Sequence, residues 1–157
     1  MPQIKRVLVP VDFSEYSREA LRYAAFMAET LGASLTALHM HWDPPSYVGV
    51  EVLMTPIPNR DQTLQEFART GAEKQLEEMV TSLDVPWADK VERIIEAGDA
   101  AQGILRHAEG FDMIIMGTHG RSGLDHWLMG SVAEKVVRRA PCPVLTIRYQ
   151  PPKEKKE

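Results

Sequence analysis

The spacing of apolar positions changes twice within the first forty residues. Residues 4 to 11 (IKRVLVPV) form a dense run of Ile, Val and Leu, the composition of a strand covered on both faces. The period then lengthens: Leu21, Ala24, Ala25, Ala28 and Leu31 recur at helical spacing, with Ser14 placed to cap the helix and Gly32 to end it. Residues 34 to 40 (SLTALHM) read as a second strand. Pro44, Pro45, Pro56 and Pro58 break up residues 43 to 60, which predicts a long surface loop, and loops of such length in small domains often carry function.

Residues 61 to 84 return to the helical period, with Leu64, Phe67, Ala68, Leu76, Met79, Val80 and Leu83 on one stripe. A third strand is predicted at 91 to 96 (VERIIE). Gly98-Asp99 then opens a short helix with Ile104, Leu105 and Ala108 inward, stopped by Gly110. Residues 112 to 116 (DMIIM) suit a central parallel strand. A glycine-rich segment runs from Gly117 to Gly130. It leads into a helix from Ser131 to Arg139, with Val132, Val136 and Val137 inward, and a last strand follows at 143 to 148. Strand and helix alternate throughout, which predicts an α/β fold with a parallel sheet and helices on both faces. Residues 1–150 form one domain in this reading, and the charged 151–157 segment (PPKEKKE) is a disordered tail with nothing to bury.

Composition narrows the function. The 157 residues carry a net charge of −4, which argues against a dedicated nucleic-acid binder. No apolar run is long enough to span a membrane. The first residues lack the order of a signal peptide, and the single cysteine, Cys142, excludes an intrachain disulfide, so a cytoplasmic location is expected.

The sharpest chemical signal is the segment from Gly117 to Ser131, which follows an apolar strand and opens a helix. In open α/β sheets ligands sit beyond the carboxyl ends of the strands. Glycine lets backbone approach a phosphate, and successive N–H groups in such a turn make an anion-binding nest. The first N–H groups of the following helix, at Ser131 and Val132, add the positive end of its dipole. The segment is neither a P-loop nor a Gly-x-Gly-x-x-Gly fingerprint. The same residues also read as a plain loop, with Ser131 and Glu134 forming a Ser-x-x-Glu capping box.

Three blocks together carry a resemblance. Gly117-x2-Gly120-x9-Gly130-Ser131 matches the Gly-x2-Gly-x9-Gly-Ser/Thr pattern of universal stress proteins that bind ATP. Val9-Pro10-Val11-Asp12-Phe13-Ser14 resembles that family's opening Pro-x-Asp-x-Ser. Residues 130 to 136 followed by Cys142-Pro143-Val144-Leu145 are similar to its C-terminal signature. The resemblance covers roughly residues 3 to 149 and implies a five-stranded parallel sheet in the order 3-2-1-4-5, a Rossmann-like arrangement. It implies an ATP site, with ADP or AMP as alternatives, in which Pro10, Val11 and Asp12 meet the adenosine, and the backbone of Met40 hydrogen-bonds adenine. Gly117, His119, Gly120, Arg121, Gly130, Ser131 and Val132 surround the phosphates. Any Mg²⁺ arrives with the nucleotide.

The resemblance further implies a homodimer through the last strand, residues 143–148, and at most slow hydrolysis or autophosphorylation. Bottom-up, no nucleophile, base and orienting carboxylate are arranged together. His119 is the one candidate base in the glycine segment, and a neighbour of the ligand in the plainer reading. His39 and His41 share a face, but two ligands do not make a metal site. Cys142 reads as structural, and Trp127 and Met129 as packing or partner contacts. The rival reading is a dimeric interaction module that needs no nucleotide and works through its dimer surface or the 43–60 loop.

Overall fold

Large apolar side chains, among them Leu8, Leu21, Leu38, Leu76, Ile114 and Ile115, are removed from solvent almost completely, and they lie on both faces of one sheet. The structure is a computed structural model. It describes residues 3–41, 52, 54–58, 63–119 and 129–149. The elements in chain order are β1 (Arg6–Pro10), α1 (Glu15–Leu31), β2 (Ser34–His41), α2 (Leu64–Thr81), a short 3-10 turn (Ala88–Lys90), β3 (Glu92–Ala97), α3 (Ala100–Ala108), β4 (Met113–Gly117), α4 (Ser131–Arg139) and β5 (Val144–Ile147). The five strands form one sheet in the order β3-β2-β1-β4-β5, and every pairing is parallel. The order implied by the resemblance is the order observed.

The two-residue period of the strands divides the core. Val7, Val9, Leu35, Ala37 and Ile115 face α1 and α2, packing with Ala20, Leu21, Ala24, Leu76, Met79 and Val80. Their neighbours Leu8, Leu38, Ile114 and Met116 face α3 and α4, packing with Ile104, Ala108, Ala133 and Val136. Strands buried on both faces explain the unbroken apolar runs in the sequence. Ser14 caps α1, its side chain accepting from the Ser17 N–H, and Gly32 ends the helix in the left-handed conformation at φ 65°.

Four stripes are narrower than their periodicity predicts. Leu31, Leu64, Phe67 and Val137 are exposed, and so is Ala68. Burial on α2 begins only at Ala72, because the C-terminal half of that helix covers β2 and β3. On α4 the inward residues are Ala133 and Val136 with Val132 half-buried; Val137, one residue further round, faces out. On α3, Ala101, Ile104 and Ala108 are buried, and Leu105 sits at the flank. Of the expected 43–60 loop, Pro56 bridges antiparallel to Thr63, and the Thr55 carbonyl accepts from the Leu64 N–H at 3.2 Å. The rest of that loop, apart from residues 52 and 54–58, and the 151–157 tail lie outside the described residues.

Candidate functional site

Strands β1 and β4 run parallel side by side, but the chain leaves β1 for β2 on one side and β4 for β5 on the other, so the order of the sheet switches between them. This is where open α/β sheets leave a crevice. Strand β1 ends at Pro10, and the turn after it is tightly cross-linked. The Asp12 Oδ1 accepts from the Ser14 N–H at 3.0 Å and from the Ser14 hydroxyl at 2.5 Å. The Asp12 N–H donates to Ser17 Oγ at 3.2 Å, and the Ser17 hydroxyl donates to the Ser14 carbonyl at 3.0 Å. Phe13 is held left-handed at φ 66°, a conformation that costs a non-glycine residue about 1–2 kcal/mol. The Phe13 ring lies against His39, with centroids 4.2 Å apart, and the buried His39 donates from Nδ1 to the Val11 carbonyl at 2.8 Å. His39 thus braces the turn that carries Asp12.

Across the crevice, β4 ends at Gly117. A Cβ there would lie 2.9 Å from Tyr16 Cβ and 3.0 Å from the Tyr16 carbonyl group, so only glycine allows β4 and α1 to come this close. The Thr118 N–H donates to the Ile147 carbonyl at 3.0 Å, and the Thr118 carbonyl accepts from the Gly130 N–H at 2.8 Å. The second bond pins the start of α4 beside the end of β4. His119 contacts the Thr118 hydroxyl through Nδ1 at 3.0 Å and lies near the Tyr16 ring, 5.2 Å between centroids.

These elements enclose a cleft of about 350 Å³, within the usual range for small-molecule sites. Pro10, Val11, Asp12, Met40, Gly117, His119, Gly130, Ser131 and Val132 all line it. Every sequence candidate among the described residues therefore meets at one cleft. Gly120 and Arg121, with Trp127, lie outside the described residues. Sequence reasoning missed the apolar inner wall, formed by Leu38, Ile104 and Met116, and the buried Ser17. Ser17 had a legible signal, three residues after the capping serine; the wall residues look like any core residue in sequence.

One reading at α4 is corrected. Ser131 is the first helical residue, not the cap: Gly130 holds the cap position, so Ser131 and Glu134 form no capping box. Gly130 has φ −61° and ψ 154°, a backbone shape open to any residue. Among the described residues no side chain caps α4, whereas Ser14, Thr63 and Asp99 cap α1, α2 and α3. Its first N–H groups, unpaired within the helix by geometry, open at the cleft.

Asp12 and His119 are the titratable side chains among the described residues lining the cleft. Burial, reinforced by the Asp112 charge, pushes the Cys142 thiol up, which disfavours the nucleophilic thiolate. Among the described residues no group of three His, Cys, Asp or Glu side chains could hold a metal ion, and no helix is long and apolar enough to cross a membrane.

Known proteins share both sequence and architecture with this chain. Residues 3–148 match the universal stress protein family. Universal stress protein MJ0531 of Methanocaldococcus jannaschii is 32% identical over 152 residues, covering 96% of this chain and 85% of that protein. A universal stress protein of Thermus aquaticus is 32% identical over 146 residues, covering 92% and 98%. In structure, UspA of Lactobacillus plantarum superposes with a TM-score of 0.74 at 25% identity, covering 94% of this chain and all (100%) of that one. A universal stress protein solved in complex with cAMP shares the fold at 20% identity, with a TM-score of 0.68 over 95% of this chain and 100% of its own. Matched over nearly its whole length, with the same sheet, the chain belongs to the universal stress protein family.

Proposed function

We propose that the protein binds ATP in this cleft and serves as a regulatory, stress-response protein of the cytoplasm. The observation that carries the reading is the meeting, at one cleft, of an apolar inner wall, the Asp12 turn and the uncapped start of α4. Leu38, Met40, Ile104 and Met116 suit a flat heteroaromatic base. Asp12 is an acceptor suited to ribose hydroxyls. The N–H groups of Ser131 and Val132 suit phosphate oxygens, which charge and helix dipole favour there. Gly120 and Arg121 complete the phosphate end in this reading, and Mg²⁺ comes with the phosphates. ADP and AMP would share the base and ribose contacts. The likeness to the protein solved with cAMP is one of fold; the ligand class rests on this chain's own residues.

Asp12 and His119 are the titratable groups among the described residues lining the cleft, and Asp12 Oδ1 already accepts from Ser14, so hydrolysis is expected far below the typical enzyme turnover of about 10 per second. The test is mass spectrometry of small molecules released from purified protein, followed by calorimetric titration with ATP. Released ATP or ADP, or saturable heat at one site per chain, is expected. A ligand-free protein that gives no heat with any adenine nucleotide overturns the proposal in favour of a nucleotide-independent interaction module.

A further inference from the structure

Helix α3 contains a glycine in its interior, Gly103, the fourth of nine residues, where glycine costs about 1 kcal/mol relative to alanine. Its place is taken by a side chain from the sheet. A Cβ built on Gly103 would stand 2.3 Å from Met40 Cε, 2.5 Å from Sδ and 3.2 Å from Cγ. On the other side, a Cβ on Gly98 would lie 3.7 Å from the same Cε, and Gly98 itself is at φ 141°. The end of the Met40 side chain thus rests in a niche bounded by two glycines. Met40 and the next residue of α3, Ile104, both line the cleft.

From this geometry we infer that Gly103 is a specificity-determining residue: its missing side chain stores Met40 against α3, keeping the inner end of the cleft open for a ring the size of a purine. The inference rests on the reading of the cleft as a nucleotide site. A methyl group at position 103 evicts the Met40 thioether. Leu8 and Leu38 fill the sheet side of that core, so the flexible end swings toward the cleft. Backbone need not move, because the obstructing atoms are the far end of a long, adaptable side chain.

The test compares the parent, Gly103→Ala and the double variant Gly103→Ala/Met40→Ala by calorimetric titration with ATP, with circular dichroism melts as the folding control. Gly103→Ala should stay folded and lose at least tenfold in ATP affinity, and the double variant, though it lacks the Met40 wall contact, should bind more tightly than the single one. Equal affinity in parent and Gly103→Ala overturns the inference, and so does a double variant as weak as the single one. Methyl NMR of the nucleotide-free proteins judges the niche separately. In the parent, the Met40 methyl should show contacts to the Gly103 α-protons; in Gly103→Ala it should show them to Val132 across the cleft. A methyl that keeps its α3 contacts in the variant overturns the inference even if ATP binds. If the parent binds no nucleotide, the functional reading fails and this NMR comparison alone decides the niche.

Discussion

Gly117 and Ser131 show how much a single position constrains. Gly117 looks in sequence like a phosphate-loop glycine, yet its tightest demand comes from the fold: the Tyr16 backbone lies where its Cβ would go. Backbone cannot yield as a side-chain tip can, and overpacking of this kind typically costs about 1–3 kcal/mol. Gly117→Ala should therefore lower the stability read from urea unfolding by that amount, and an unchanged midpoint would mean that α1 shifts freely. Ser131 behaves in the opposite way. It is exposed at the first position of α4 and caps nothing, so Ser131→Ala should leave stability within about 0.5 kcal/mol while weakening ATP binding. The motif made both residues visible, but not which of them serves the fold and which the cleft.

At the scale of elements, β1 and β4 are clasped at the end opposite the cleft. The Asp112 Oδ2 accepts from the Lys5 and Arg6 N–H groups at 2.8 and 2.9 Å, and the Arg6 guanidinium lies 4.5 Å above the Phe111 ring. Those two backbone bonds hold the Asp112 carboxyl below its ordinary value. A carboxylate depressed in the folded state adds stability above its unfolded value, near pH 4, and loses it as pH falls through the lower folded value. Glu66, lowered by its Thr63 bonds, and Glu96, lowered first by its hydrogen bond to His107, act in the same direction. Stability should be flat above about pH 5 and fall below about pH 4, and Asp112→Asn should be less stable at pH 7 with a shallower acid decline. Urea midpoints at pH 7 and pH 3 check both, and an equally steep decline in the variant would remove Asp112 from the account. The strands themselves were legible from their apolar runs to within about two residues, and the stop of α1 from Gly32. The 3-10 turn at Ala88–Lys90 and the late start of burial on α2 were not, since both depend on what the neighbouring strands cover.

For the whole molecule, the strand order leaves β3 and β5 as edges. Strand β3 carries Glu92, Arg93 and Glu96, charges of the kind that deter pairing with another chain; β5 (VLTI) carries none. A twofold homodimer through residues 143–148 is therefore expected, and light scattering at micromolar concentration should give twice 17.7 kDa. A 17.7 kDa species alone would exclude it. The same sheet order brings the ends of β1 and β4 together, and with them nine candidate residues scattered from Pro10 to Val132. The glycine segment was legible from its own chemistry, and Pro10, Val11, Asp12 and Met40 through the family resemblance; periodicity alone left the strand order open. The claim on which the rest depends is that phosphate sits against the start of α4. Gly130 holds an ordinary backbone shape, so a valine there should fold, with its side chain at the mouth of the cleft. Losing one or two charge-assisted hydrogen bonds costs about 1.5–3 kcal/mol each, at least about tenfold in affinity. Calorimetric titration of Gly130→Val with ATP, on protein shown to be folded by circular dichroism, should give no detectable binding; binding as tight as the parent's would contradict the account.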